Sequence, residues 1–159
     1  MSKETKLSLE QTNVAIGQII DKIPKQGERI KENSSQMPCI PHQGEIWITD
    51  FNRKRERENF KIRPVLIMSN DWQNQHDKYT IVAPLTSDEE ELKKSIASFE
   101  VLIEPNKKNG LDETSKILLN RLQIVDENFR LIEKKGQVNS KIWKQVWRAL
   151  WVVFTGKNL

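Results

Sequence analysis

One cysteine and two histidines are all that this 159-residue chain offers as thiol or imidazole groups. Cys39 has no partner for an internal disulfide, which fits a reducing cytoplasm. With His42 and His76 it falls short of a structural zinc site. No stretch approaches the roughly 20 apolar residues that a membrane-spanning helix needs. The opening MSKETKLSLEQTN lacks the apolar core and cleavage site of a secretory signal. The G-x-x-x-x-G-K-[ST] and G-x-G-x-x-G loops that cradle nucleotides are absent, as are the G-x-S-x-G elbow and H-E-x-x-H. No run of acids is spaced as a two-metal site. His42 precedes the first strand and His76 falls in a polar stretch, so chemistry resting on a pair of histidines is not expected. Arginine, hydroxyl, amide and carboxylate groups are what is left to act, with no metal and no cofactor implied.

What is present is charge, unevenly placed. Charged residues make up 30 % of the chain, the net charge is +4 and the pI about 9.2. Between positions 53 and 63, Arg53, Lys54, Arg55, Arg57, Lys61 and Arg63 face only Glu56 and Glu58, a local excess of +4 that equals the whole molecule's. Such a cluster attracts a polyanion, of which a phosphate backbone is the commonest; standing alone, it also reads as a solubilising loop. Apolar residues make up 36 %, enough for one core.

Residues 1–40 and 42–159 read as separate parts. Leu9 to Ile23 fits one amphipathic helix ended by Pro24, followed by a polar, proline-punctuated linker. From Gly44, GEIWITDF alternates as a strand, with Ile46 and Ile48 to one side and Trp47 and Thr49 to the other. Further strands are predicted over 65–68, over YTIVAPLT (79–86), in SFEVLIEP, and over 115–126 with a bend near Asn120. NDWQNQHDK reads as a polar loop, and SDEEELKK as a loop or the first turn of a short helix. SKIWKQVWRALWVVF reads as a helix, with Ser140 as its cap. Its apolar arc is wider than one packing face needs, which suits a second subunit. The sum is an α+β domain: a small, strongly curled, barrel-like antiparallel sheet with a C-terminal helix and an added N-terminal one.

KIRPVLIMSND places an arginine at the lip of a strand that is buried on both faces. Pro64, lacking an N–H, suits the start of a strand, so Arg63 has a held stem and a free guanidinium. Taken alone, Arg63 reads equally as an edge charge pairing with Glu45 or Asp71, and Thr86 as a hydroxyl capping the next turn.

Four segments in order resemble the MazF/PemK family of toxin–antitoxin ribonucleases: HQGEIWITDF, KIRPVLIMSND, IVAPLTSD and SFEVLIEPNKKNGLDETSKILLNRLQIVD, closed by the amphipathic helix. The resemblance covers about residues 42–155. It implies an SH3-like barrel of the CcdB/MazF type, a homodimer, and a cytoplasmic, metal-independent endoribonuclease. It further implies single-stranded RNA cut by attack of the 2′-OH, and inhibition by a cognate antitoxin whose tail fills the RNA groove. The arginine of the family's R-P-x-L motif matches Arg63 and the threonine of its P-x-T motif matches Thr86, the two residues to which the resemblance assigns catalysis. RNA contacts are expected from Arg53, Lys54, Arg55, Arg57, Asn59, Lys61, Arg121 and Gln123. The sequence departs from the family in RKRERENFKIRP, where small and amide residues are usual, and at Asn120 and Arg121, where an acid or Gln is usual. The same cleft therefore also suits a non-catalytic module that binds RNA or a protein.

Overall fold

A computed structural model describes residues 40–51 and 62–157. The predicted N-terminal helix and linker lie outside the described residues, as does most of the basic loop. Seven strands form one antiparallel sheet. β1 (Glu45–Asp50) and β2 (Ile62–Ile67) lead into a short helix, α1 (Asp71–His76). β3 (Tyr79–Thr86), α2 (Glu89–Lys93), β4 (Glu100–Ile103) and β5 (Ser115–Leu118) follow. After a 3₁₀ turn (Leu119–Arg121) come β6 (Gln123–Asp126), α3 (Glu127–Arg130), β7 (Leu131–Gln137) and the long α4 (Ser140–Thr155).

The strand order is β4-β5-β3-β2-β1-β7, with β6 also pairing with β3. β3 is long enough to take β5 and β6 end to end on one edge: Leu85 and Thr86 pair with Ile117 and Lys116, and Tyr79 to Val82 pair with Asp126 to Gln123. The predicted bend near Asn120 is the 3₁₀ turn between them. Pro84 stands on β3 opposite that break, where a missing N–H costs least.

The expected barrel closure and strong curl are corrected by this order. Among the described residues β4 and β7 end an open ladder, because β6 joins β3 rather than bridging to β7. Curvature is local, at two register shifts between β1 and β7. What seals the sheet is cover on its faces. Ile46, Leu66, Ala83, Leu85, Val101, Ile103 and Ile117 form one cluster with Val146 and Ala149 of α4. Trp47, Val65, Ile67, Val82 and Val125 form the other, flanked by Phe51 and Leu131. The alternation predicted for β1 is thus the alternation between two apolar clusters.

Three local readings differ. The polar loop after β2 is a helix, because the Asn70 side chain accepts from the Gln73 N–H at 2.9 Å and caps it. The cap of α4 is Asn139, accepting from the Ile142 N–H at 2.9 Å, and Ser140 is the first helical residue. β7 is a strand that the sequence hides, since Glu133, Lys134 and Lys135 blur its alternation. Gly110 lies in the β4–β5 connection with φ +65°. A Cβ there would collide with the Lys135 carbonyl, and one on Gly136 with the Lys108 carbonyl, so the β4–β5 turn seats backbone to backbone on β7.

Candidate active site

The ladders put four polar side chains in a row on one face of the sheet. Thr49 of β1 is opposite Arg63 of β2. The β2–β3 pairing runs Ile67↔Val82, Leu66↔Ala83, Val65↔Pro84 and ends there; by strand alternation Arg63, two residues before Val65, and Thr86, two residues after Pro84, project from the same face. Thr86 is in turn opposite Lys116 of β5. Opposed residues in antiparallel strands project from the same face, with Cα atoms about 4.5–5.5 Å apart. Arg63 and Thr86 therefore lie on one face of the sheet, each two residues beyond the last pair of the β2–β3 ladder.

Arg63 is half-buried, on a strand whose next residues, Val65 to Ile67, are fully buried. Neither acid considered for it is available. Asp71 accepts from the Gln43 N–H at 2.7 Å and lies 3.2 Å from His42, contacts that hold its carboxyl below the usual range. Glu45 accepts from the His42 N–H at 3.0 Å and the Trp47 indole at 2.9 Å, and pairs with Lys134. Burial works against ionising Glu45, yet together these partners keep its carboxyl below the usual value. Among the described residues the Arg63 guanidinium makes no ion pair or hydrogen bond. A cation fixed at its base and unpaired at its tip is a receptor for an anion.

The capping read for Thr86 is present. Its Oγ1 accepts from the Asp88 N–H at 3.3 Å, so it does cap the following turn. A hydroxyl that accepts on one side keeps its proton to donate.

Gln123 is exposed on β6 and paired with Val82, which puts it on the face of Arg63 and Thr86, about 13 Å along β3 from Thr86 at 3.3 Å per residue. Arg121 ends the 3₁₀ turn, exposed. The Glu91 carboxyl is held low first by its hydrogen bond to Lys94, then by the charge of Lys94, with Arg121 adding to the effect; the Arg121 charge thus lies on the side of α2. Arg53, Lys54, Arg55, Arg57, Asn59 and Lys61 lie outside the described residues. His42 and His76 both belong to the other end of β2, His42 with Asp71 and His76 stacked on Trp72 with ring centroids 4.6 Å apart. Among the described residues no three His, Cys, Asp or Glu side chains gather as metal ligands would.

Two members of the row were not singled out from sequence. Lys116 is buried, and a charge inside the apolar run SKILL was the signal for it. Thr49 is fully buried and, among the described residues, its hydroxyl has no hydrogen-bond partner. Nothing in the alternation of β1 marks it, because threonine is an ordinary strand residue. Thr49→Val keeps the shape and removes the orphan, so stability should rise by about 1 kcal/mol. A urea titration reads this directly, and a loss of stability would mean that the hydroxyl has a partner.

Comparison with known proteins gives one consistent answer. The family model for "PemK-like, MazF-like toxin of type II toxin-antitoxin system" matches residues 42–154. A curated relative, Endoribonuclease MazF of Staphylococcus saprophyticus, is 34 % identical over 107 residues, covering 67 % of this chain and 85 % of that protein. Among solved structures, an endoribonuclease from a mycobacterial species aligns with TM-score 0.57 at 18 % identity, over 74 % of this chain and 94 % of its own. A mycobacterial endoribonuclease in complex with its cognate antitoxin also aligns with TM-score 0.57 at 18 % identity, over 71 % and 93 %. MazF from Deinococcus radiodurans aligns with TM-score 0.57 at 19 % identity, over 74 % and 98 %. At these identities the structures speak for the fold.

Proposed function

Because the chain belongs to the family of PemK-like, MazF-like toxins of type II toxin–antitoxin systems, we propose that it is an endoribonuclease that cuts single-stranded RNA at short sequences without a metal. Residues 42–159 are the toxin domain and residues 1–40 a separate segment. The observation that carries the reading is Arg63: unpaired among the described residues, anchored in a buried strand, and on the same face as Thr86, whose hydroxyl has a proton to give.

In the reaction the 2′-oxygen of one nucleotide attacks its own 3′-phosphorus and loses its proton to solvent. The bond from phosphorus to the 5′-oxygen of the next nucleotide breaks, and that oxygen takes up a proton. The products are a 2′,3′-cyclic phosphate and a 5′-OH. Negative charge grows on the two non-bridging oxygens as the fifth bond forms. The Arg63 fork meets that charge bidentately and the Thr86 hydroxyl adds a bond. Donors fixed before the charge develops are commonly the largest catalytic term. Arginine acts here by charge and geometry, since a guanidinium holds its proton too tightly to suit proton transfer at neutral pH.

Gln123 and Arg121 border the RNA path downstream of Thr86, and Arg53, Lys54, Arg55, Arg57, Asn59 and Lys61 supply sequence-independent attraction and part of the preference. A cognate antitoxin occupies the same groove. A second copy completes the protein as a cytoplasmic homodimer; Trp147, Trp151 and Phe154, 49 %, 47 % and 73 % exposed on α4, support a need for cover.

The test is purified protein with a long single-stranded RNA in EDTA. Discrete fragments ending in 2′,3′-cyclic phosphate are expected. RNA that is retarded on a gel but left whole would make the protein the non-catalytic binder instead, a reading that the charged loop at 53–61 favours more than a standard family sequence would.

A further inference from the structure

The row that carries Arg63 and Thr86 continues into a buried ammonium. Lys116 is 1 % exposed and directly opposite Thr86. Its three protons have three takers: Nζ donates to the carbonyls of Glu91 at 2.8 Å and Lys94 at 3.0 Å, and lies 3.3 Å from Oε2 of Glu100. Glu91 lies in α2 and Lys94 is its C-terminal cap. The same helix begins at Asp88, whose carboxylate caps the Glu90 and Glu91 N–H groups at 3.0 and 3.1 Å. The backbone N–H of Asp88 donates to Thr86 Oγ1. The contacts therefore close a circuit. Thr86 pairs with Lys116 through the backbone, Lys116 grips the end of α2, and the start of α2 holds the Thr86 hydroxyl. Burying a charge is expensive, and a buried ion pair is by itself weak evidence for stability. What the lysine supplies that an aliphatic cannot is the grip on α2.

We propose that Lys116 is a positioning residue: it holds the Asp88–Lys94 segment so that the Asp88 N–H fixes Thr86 Oγ1 and leaves the threonine proton aimed at the phosphate. The inference rests on the role given to Thr86 above, and goes beyond it by naming what orients that hydroxyl.

A double-mutant cycle tests it. Lys116→Met keeps the stem, and Glu100→Gln accompanies it so that no carboxylate is left alone. The pair should lower kcat on single-stranded RNA about tenfold with KM within about twofold, and amide hydrogen exchange across 88–94 should quicken. Combined with Thr86→Val, which lowers kcat by itself, the pair should cost nothing more, because Lys116 acts through a hydroxyl that is no longer there. If the methionine pair does not fold, Lys116→Gln with Glu100→Gln enters the same cycle. Unchanged exchange, unchanged kcat where Thr86→Val alone lowers it, or losses that simply add would each overturn the proposal. A Thr86→Val protein that cleaves normally would instead remove Thr86 from the site, and with it the reading on which the inference stands.

Discussion

Replacing Arg63 with alanine is expected to slow RNA cleavage by roughly 10²–10³-fold, the usual consequence of deleting one preorganised donor to a developing oxyanion. That factor is about 3–4 kcal/mol of transition-state stabilisation. Most of it should appear in kcat, because the guanidinium meets more charge at the five-bonded phosphorus than on the ground-state diester. The fold should not suffer. Arg63 is half-buried and bonded to no described side chain, so nothing in the core depends on its charge. Arg63→Lys should recover only part of the rate, since an ammonium offers a point charge where a fork is needed. Single-turnover cleavage in EDTA with a melting curve on each variant separates these effects. A folded Arg63→Ala protein that cuts at the parental rate would mean that the row of Thr49, Arg63 and Thr86 is not the active site.

The parts of the fold legible in sequence were those set by local pattern. GEIWITDF alternates because its two faces meet two different apolar clusters. Val65 to Met68 run continuously apolar because both sides of β2 are covered. α4 declares itself by period, and Val146 and Ala149 mark its buried side. β7 was not legible, because its pairing with β1 supplies what Glu133 and Lys134 do not advertise. Nor was the open strand order: whether a sheet closes depends on which edge β6 takes, a choice made by tertiary contacts rather than by four residues of pattern. The same division runs through the site. Arg63 and Thr86 sit beside local signals, Pro64 within β2 and the SDEE turn after β3. Thr49 and Lys116 enter it only through register, Thr49 opposite Arg63 and Lys116 opposite Thr86, pairings that no single segment displays.

Glu45→Gln is expected to lower stability by about 2 kcal/mol at pH 7, and to lower it much less in acid. Glu45 is 4 % exposed, and its carboxylate is held by the His42 N–H, the Trp47 indole and Lys134. Despite burial, its folded-state pKa lies below the ordinary value of 4.5. A depressed pKa means that the unfolded chain binds the proton more readily. The stabilisation is therefore present above about pH 4.5 and is lost as pH falls through the lower, folded value. The glutamine variant has no such proton to take up, so its stability curve should lack that part of the acid limb. The two proteins should converge as pH drops. Urea midpoints at pH 7 and below pH 4 measure the difference, and parallel curves at all pH values would show that Glu45 is not ionised in the fold. Lys134→Met should cost less, because that side chain is 46 % exposed and its ammonium is partly hydrated already. Cleavage at pH 7 should change little in either variant. Glu45 begins β1 and Thr49, four residues on, reaches the row of Arg63, so the anchor and the chemistry stand at opposite ends of one strand. On the proposed reading, in which catalysis rests on Arg63, activity should fall at low pH together with the folded fraction, and a loss of activity in protein that is still folded would count against it.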